Sequence, residues 1–286
     1  MPIKYIQPYA KRNESLFIRG ELQKKSQIAI DGDALIYYLY IQSQNFSYGG
    51  DTERLCKEAR HFFDGLNRFE IQPIVFLPIP SPEIKPEIKM AVFKELADQL
   101  AEDPLSSINR AARGFRFCPM HRQAFVQILK ELKVNFMFVN GEVAPYLAEY
   151  AMENKIPVMG YDSVYLGYDL EFCFIESIYF EDEVQTNARG KQYELRDEVS
   201  CLRTTTTKIA ESLELTFPQY QYLLRLLPND YLSEFTELRA SFEETGNGKD
   251  AKDNMIINFA KFIKENWVDD EAKMNEVILA KQKECF

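Results

Sequence analysis

The sequence lacks the residue patterns that mark several common kinds of protein. It has two histidines, His61 and His121, and its five cysteines show no paired spacing, so a structural zinc site is not expected. Cysteines of this kind are typical of a reducing compartment. No apolar run approaches the roughly 20 residues that a membrane helix needs, and the N-terminus has no secretory signal. We therefore expect an intracellular protein, cytoplasmic or nuclear, that does not enter membranes.

The sequence is also short of positive charge. Its 44 acidic and 34 basic residues give a formal net charge of −10, which argues against a broad surface for nucleic acid. Residues 105–130 are an exception, because they contain no Asp or Glu. Phe115 and Phe117 lie among their arginines and suit stacking on an unpaired base, although a solvated connector with inward-facing aromatics explains them equally well. The candidate nucleic-acid-binding residues are Arg110, Arg113, Arg116, Arg122 and Lys130.

What the sequence does contain is a set of short apolar runs separated by helical patterns. With 46% apolar residues, the chain can bury a large core. Strands buried on both faces have this apolar character, and their alternation with helices predicts an α/β fold with a twisted, mostly parallel sheet. The runs that we interpret as parallel strands are 28–30, 74–76, 136–139 and 156–159. Two later runs, 172–175 and 178–180, predict strands at a less regular edge, and residues 204–213 and 218–227 predict helices.

Acidic residues follow three of the four predicted parallel strands. Asp31, Glu142 and Asp162 come after the first, third and fourth runs, whereas the second run ends at Leu77. Ligands of parallel sheets bind beyond the carboxyl ends of the strands, so we expect these acids to converge. Converging acids repel one another unless a cation lies among them, and Mg²⁺ or Mn²⁺ accepts oxygen ligands and can activate water against a phosphodiester. The pattern predicts a candidate metal site.

Each acid also has an ordinary structural interpretation. Asp31 can cap the helix that follows it, and Glu142 can serve the dipole of the next helix. Asp162 can form an Asx turn, and Asp230, after a later helix, can cap or hold a turn. These interpretations and the metal site both remain open on the sequence.

Five short motifs occur along the chain in a recognisable order. They are Ile-Ala-Ile-Asp-Gly-Asp at 28–33, Tyr-Gly-Gly-Asp at 48–51, Gly-Glu-Val-Ala at 141–144, Tyr-Asp-Ser-Val at 161–164 and Pro-Asn-Asp-Tyr at 228–231. In this order and spacing, over most of residues 1–240, they resemble the flap-endonuclease-like PIN superfamily of the XPG type. The match is closest to its Asteroid branch.

The resemblance implies a domain organisation and a chemistry. It implies a PIN-like α/β domain over residues 1–200, with an arch or clamp at about 78–122. Residues 201–286 would form a C-terminal helical region with a helix-turn-helix-like module. Active members resemble one another in holding two divalent metals with about seven carboxylates and hydrolysing phosphodiesters.

Several of the family's carboxylates are replaced in this chain. Leu, Ala and Val bind no metal, so each replacement removes an oxygen ligand and about one negative charge from the site. We expect no cofactor, or Mg²⁺ or Mn²⁺ if any activity remains. The acids that match the family's metal ligands are Asp31, Glu142, Asp162 and Asp230, and the replacements are Leu77, Ala144 and Val164.

Three functions are compatible with this pattern. The favoured hypothesis is a catalytically degenerate domain, a pseudo-nuclease, that acts as an RNA-associated or protein-interaction module, for example in post-transcriptional regulation. A protein partner is then expected, and RNA or another single-stranded nucleic acid is a further candidate. The second is an active Mg²⁺- or Mn²⁺-dependent nuclease with a reduced metal site, to which Asp33, Asp51 or Asp169 supplies oxygens. The third is a structural adaptor that binds no nucleic acid.

Overall fold

The computed structural model describes two compact units. The described residues are 16–22, 25–42, 52–79, 119–180, 199–227 and 249–284, with residues 6, 9, 10 and 13. The sheet unit comprises residues 21–161 and 175–201, and the helical unit comprises residues 1–20, 162–174 and 202–286.

The elements follow one another in a largely alternating order. The strands are β1 (Ile18–Leu22), β2 (Gln27–Asp31), β3 (Gln72–Pro78), β4 (Asn135–Val139), β5 (Val158–Gly160), β6 (Glu171–Phe174), β7 (Tyr179–Phe180) and β8 (Val199–Thr205). The helices are α1 (Gly32–Gln42), α2 (Thr52–Arg68), α3 (Pro119–Glu131), α4 (Val143–Asn154), α5 (Thr206–Ser212), α6 (Phe217–Leu226), α7 (Lys249–Asn266) and α8 (Glu271–Glu284). None of the helices in the described part of the chain is long and apolar enough to cross a membrane.

A parallel sheet forms the centre of the sheet unit. Its order is β5-β2-β3-β4, and the register of β2 on β3 sets Asp31 beside Phe76. The register of β3 on β4 sets Leu77 beside Phe138. Because the strands are parallel, their carboxyl ends lie at the same edge of the sheet. The four predicted parallel strands are confirmed.

Helices cover both faces of this sheet. The Leu77 side chain lies against Gly32 at the start of α1, whereas the ring of Phe76 packs on Tyr150 of α4 with centroids 5.3 Å apart. Neighbouring residues of a strand point to opposite faces, so α1 and α4 lie on opposite sides. Burial on both faces explains the apolar sequence of β2 and β3, and it confirms the predicted α/β class.

The helical unit has its own apolar core. The rings of Tyr165 and Phe172 stack with centroids 5.6 Å apart, and Tyr220 on α6 is fully buried. Met255, Phe259 and other apolar residues of α7 are buried as well. The predicted C-terminal helical region with a helix-turn-helix-like module stays a prediction.

One predicted boundary is wrong. The sequence pattern predicts a helix from residue 204, but β8 continues to Thr205, pairs antiparallel with β6, and is followed by α5 from Thr206. Threonine is β-branched and favours a strand. The Thr205 hydroxyl accepts a hydrogen bond from the N–H of Lys208 at 3.3 Å, which caps α5. Threonines therefore end the strand and begin the helix.

Candidate functional site

Asp31 is the last residue of β2, where the chain turns into α1. Its Oδ1 accepts a hydrogen bond from the backbone N–H of Ala34 at 3.1 Å. This satisfies one of the amides that a helix leaves unpaired at its N-terminus, and the helix dipole favours the negative charge. The predicted capping role of Asp31 is confirmed.

Asp162 makes a similar contact in the helical unit. Its Oδ1 accepts a hydrogen bond from the N–H of Val164 at 3.0 Å, and it precedes a 3₁₀ helix at Ser163–Gly167. This is the Asx turn that the sequence predicts. Val164, which stands where a second acid is expected, contributes only its backbone to this turn.

Glu142 occupies the N-cap position of α4 without capping it. Its backbone is extended, with φ −72° and ψ 132°, and its side chain makes no capping hydrogen bond. The side chain is exposed, whereas Ala144 in the first turn of the helix is buried. Glu142 therefore carries its charge at the helix N-terminus, in the favourable end of the dipole, with its carboxylate in solvent.

Asp31 and Glu142 lie at the same edge of the sheet, with β3 between β2 and β4. Two strand spacings correspond to about 10 Å, so an acid at the end of β3 would bridge the distance between them. Leu77 occupies that position and is fully buried.

The surroundings of Leu77 are closely packed. A Cβ added to Gly32 would lie 2.5 Å from Leu77 Cδ2 and 2.7 Å from the Phe76 carbonyl oxygen. Only glycine allows α1 to approach β3 so closely. The side chain of Leu77 therefore fills the space beside the start of α1, where the family resemblance places a carboxylate.

Three further acids were predicted as possible ligands, and only Asp169 among them lies in the described residues. Asp230 and Asp51 lie outside the described residues, and Asp169 is exposed in the bend before β6. Within the described ranges, no group of three or more His, Cys, Asp or Glu side chains is arranged to hold a metal ion.

Asp33 and Arg122 form a bidentate ion pair. Arg122 Nη2 donates to Asp33 Oδ2 at 2.6 Å and to Oδ1 at 2.9 Å, and Nε donates to Oδ1 at 3.1 Å. The pair ties the first turn of α1 to the first turns of α3, and both side chains are about a third exposed or less. Geometry of this kind is among the stronger charge-assisted contacts in proteins.

This pair changes the properties of two predicted site residues. Both oxygens of Asp33 already accept hydrogen bonds from Arg122, so Asp33 is not placed as an open metal ligand. Burial raises the pKa of the Asp33 carboxyl, and the Arg122 charge and hydrogen bonds oppose that rise.

Two of the five predicted nucleic-acid-binding residues lie in the described part of the chain. Arg122 donates to Asp33, whereas Lys130 is exposed in the last turn of α3. Arg110, Arg113 and Arg116 lie outside the described residues.

Two aromatic contacts of α1 were not predicted. Tyr161, which follows β5 directly and is 40% exposed, meets Tyr37 of α1 edge to face with centroids 5.9 Å apart. Burial raises the pKa of Tyr161, and the nearby charge of Glu176 adds to the rise. His121 lies beside the ring of Tyr40 at 4.9 Å, and burial lowers the pKa of its imidazole. Sequence spacing gives no signal for either contact.

Comparison with known proteins agrees with the fold. No family model matches the chain. It is 26% identical over 181 residues to the human Single-strand DNA endonuclease ASTE1, a match that covers 62% of this chain and 26% of the relative. It is 22% identical over 228 residues to Protein asteroid of Drosophila melanogaster, covering 76% of this chain and 26% of the relative. The chain thus spans about a quarter of the length of these curated relatives.

A solved structure of human GEN1 in complex with Holliday junction DNA matches 99% of this chain and 62% of its own, with a TM-score of 0.51 and 12% identity. The sequence is Asteroid-like, and the fold is flap-endonuclease-like. The predicted resemblance is confirmed at this level. The Asteroid-like chain therefore combines a flap-endonuclease-like fold with the packed, apolar end of β3 described above.

Proposed function

We propose that this Asteroid-like chain is a flap-endonuclease-like domain that has lost metal-dependent hydrolysis and acts as a binding module for single-stranded nucleic acid and protein partners. The observation that carries the proposal is the burial of Leu77 against Gly32. Two-metal hydrolysis needs several oxygen ligands around ions about 4 Å apart. The alkyl side chain of Leu77, on the strand between those of Asp31 and Glu142, supplies no oxygen.

The contacts of the remaining acids support the same proposal. Asp31 and Asp162 accept hydrogen bonds from backbone amides, and Asp33 is paired with Arg122. These contacts give each acid a role in stabilising the fold that needs no metal. The described donors do not fit a two-metal centre, so no step of a reaction is assigned to them.

One observation favours a second candidate, an active nuclease. A relative bears the name Single-strand DNA endonuclease, and four of the expected acids, Asp31, Glu142, Asp162 and Asp230, are present in this chain. An active protein would cleave single-stranded DNA in Mg²⁺ or Mn²⁺ with a reduced set of ligands.

A cleavage assay separates the two candidates. Labelled single-stranded DNA, single-stranded RNA and flap DNA are incubated with the chain in Mg²⁺ and in Mn²⁺. The comparison variant is Asp31→Asn with Asp162→Asn, because asparagine preserves both caps and removes both charges. Asp169→Asn, at an exposed position, is the matched control. We expect no cleavage by the unmodified chain; cleavage that the double variant loses and the control keeps would establish the nuclease instead.

A binding assay tests the second half of the proposal. We expect the uncleaved single strands to bind with a salt dependence, and Arg110→Glu with Arg113→Glu to weaken binding and lower the salt slope by about 0.7 for each phosphate contact removed. Lys261→Glu with Lys273→Glu makes the same charge change on the exposed surface of α7 and α8. Binding that is absent, or reduced equally by both double variants, would favour the structural adaptor.

A further inference from the structure

β4 is an edge strand with unusual composition. It pairs with β3, and no other strand pairs with it in the part of the chain that the structure describes. Its sequence, Asn-Phe-Met-Phe-Val, contains no charge and no proline. Met137 and Phe138 are 38% and 47% exposed. Edge strands are normally protected from pairing by charges, prolines or bulges, and β4 has none of them.

One hydrogen bond shows which peptide groups of β4 point away from β3. The carbonyl of Val139 accepts the N–H of Ile79 at 2.8 Å, so the peptide groups of Val139 face β3. Peptide groups alternate between the two sides of a strand. The N–H and C=O groups of Phe136 and Phe138 therefore face away from β3, toward the edge that no strand of the described residues occupies.

We propose that β4 pairs antiparallel with β4 of a second copy of this chain, about a two-fold axis at Met137. In the register that pairs the whole strand, Phe136 of one copy is opposite Phe138 of the other. These are the residues with outward peptide groups, so each opposed pair exchanges both backbone hydrogen bonds. Phe136 and Phe138 share a strand face and already contact each other, with centroids 5.6 Å apart, so the pairing extends that contact into an aromatic row across the two copies.

Charge at the ends of β4 favours a second copy in this orientation. Lys133 is exposed just before the strand, and Glu142 is exposed just after it. Antiparallel pairing places the Lys133 end of one copy beside the Glu142 end of the other, at both ends of the strand. A parallel arrangement would bring like charges together. β4 itself carries no charged residue, so its pairing does not place like charges of the two acidic chains opposite each other. The proposal does not depend on the proposed function.

Cross-linking tests the register. In this pairing Met137 is opposite its own copy in a pair without backbone hydrogen bonds, where Cβ atoms lie about 4.5 to 5.5 Å apart. We expect Met137→Cys to give a disulfide-linked dimer under mild oxidation. Asn135→Cys is the matched control, because Asn135 is exposed on the same strand but its two copies would lie about 13 Å apart. No dimer from Met137→Cys, or equal dimer from both variants, would overturn the register and the proposal.

Sedimentation of the full chain tests the interface. We expect a concentration-dependent dimer whose Kd rises at least about tenfold in Phe138→Lys. Tyr179→Lys is the control, because Tyr179 is an exposed aromatic on β7 whose fractional exposure, 48%, is close to the 47% of Phe138. A chain that is monomeric at every concentration, or a dimer that Phe138→Lys leaves intact, would overturn the proposal.

A charge exchange distinguishes a second copy from any other partner, without altering the strand. Lys133→Glu should weaken the dimer by placing two acids together, and adding Glu142→Lys should restore it. Because both positions are exposed, each variant should fold, although Glu142→Lys gives up the favourable charge at the N-terminus of α4. Failure of the second change to restore the dimer would contradict the antiparallel arrangement.

Discussion

The ends of β2 and β3 lie side by side and differ sharply in chemistry. At the end of β2, Asp31 is partly exposed and its carboxylate accepts a hydrogen bond from the first turn of α1. At the end of β3, Leu77 is fully buried against Gly32. An acid is therefore found where a backbone amide needs a partner, and an alkyl group is found where a helix packs. The comparison teaches that an acid at a family ligand position is not by itself evidence of a metal.

The largest effect on stability is expected when an acid replaces Leu77 at the end of β3. We expect Leu77→Asp to lower the free energy of unfolding by about 3 to 5 kcal/mol, because it removes apolar packing and buries a charge. Urea unfolding followed by circular dichroism measures the loss. Leu77→Met, which conserves volume, should cost less than about 1.5 kcal/mol. A stable Leu77→Asp protein that cleaves DNA in Mg²⁺ would mean that the remaining acids still form a working site.

The next largest effect is expected at the ion pair beyond Asp31. Arg122→Met leaves the partly buried Asp33 carboxylate without its partner and should cost about 2 kcal/mol at neutral pH. Adding Asp33→Asn should recover most of the loss. If the double variant is no more stable than Arg122→Met, the cost comes from lost packing instead.

The pH dependence of the Arg122→Met loss has a definite sign. Burial raises the pKa of Asp33 above its usual value of 3.8, and Arg122 opposes the rise, so the variant has the higher folded-state pKa. An acid with a raised pKa contributes stability below its usual pKa and loses that contribution as pH rises through its folded-state pKa. The loss in the variant should therefore be largest at neutral pH and shrink as the pH falls toward 3.8. A loss that is constant with pH would contradict this assignment.

A smaller effect is expected at Asp31 itself. Asp31→Ala removes the cap of α1 and should cost about 1 kcal/mol, whereas Asp31→Asn keeps an acceptor and should cost a few tenths. Hydrogen exchange at the Ala34 amide measures the contact directly: exchange should be faster in the alanine variant only. Equal exchange in both variants would mean that the charge of Asp31, rather than its hydrogen bond, protects this amide.

The smallest effect is expected at the end of β4. Glu142 makes no capping hydrogen bond and is exposed, so Glu142→Gln should change the free energy of unfolding by less than about 0.5 kcal/mol. The same urea titration measures it. A loss near that of Asp31→Ala would place Glu142 among the structural caps, contrary to its geometry.

The sequence predicted the centre of the sheet well because β2, β3 and β5 are largely buried, and strands buried on both faces consist of apolar runs. The local contacts of Asp31 and Asp162 were among the interpretations that the sequence left open, since a cap or an Asx turn involves residues two or three positions away. The ion pair of Asp33 with Arg122 joins residues 89 positions apart, and no periodicity records such a contact. The buried setting of Leu77 likewise depends on how closely α1 approaches β3.

The contact between Gly32 and Leu77 has a consequence for how related chains can be sorted. A side chain at position 32 and a branched alkyl group at position 77 would compete for the same space, so the two positions should vary together. The Phe76 carbonyl oxygen lies almost as close, 2.7 Å from such a Cβ, so a smaller residue at 77 makes room for alanine or serine at 32 only in chains where α1 also stands farther from β3. Glycine at 32 with a bulky apolar residue at 77 is therefore a marker, readable in any alignment, for chains in which α1 packs closely on the end of β3.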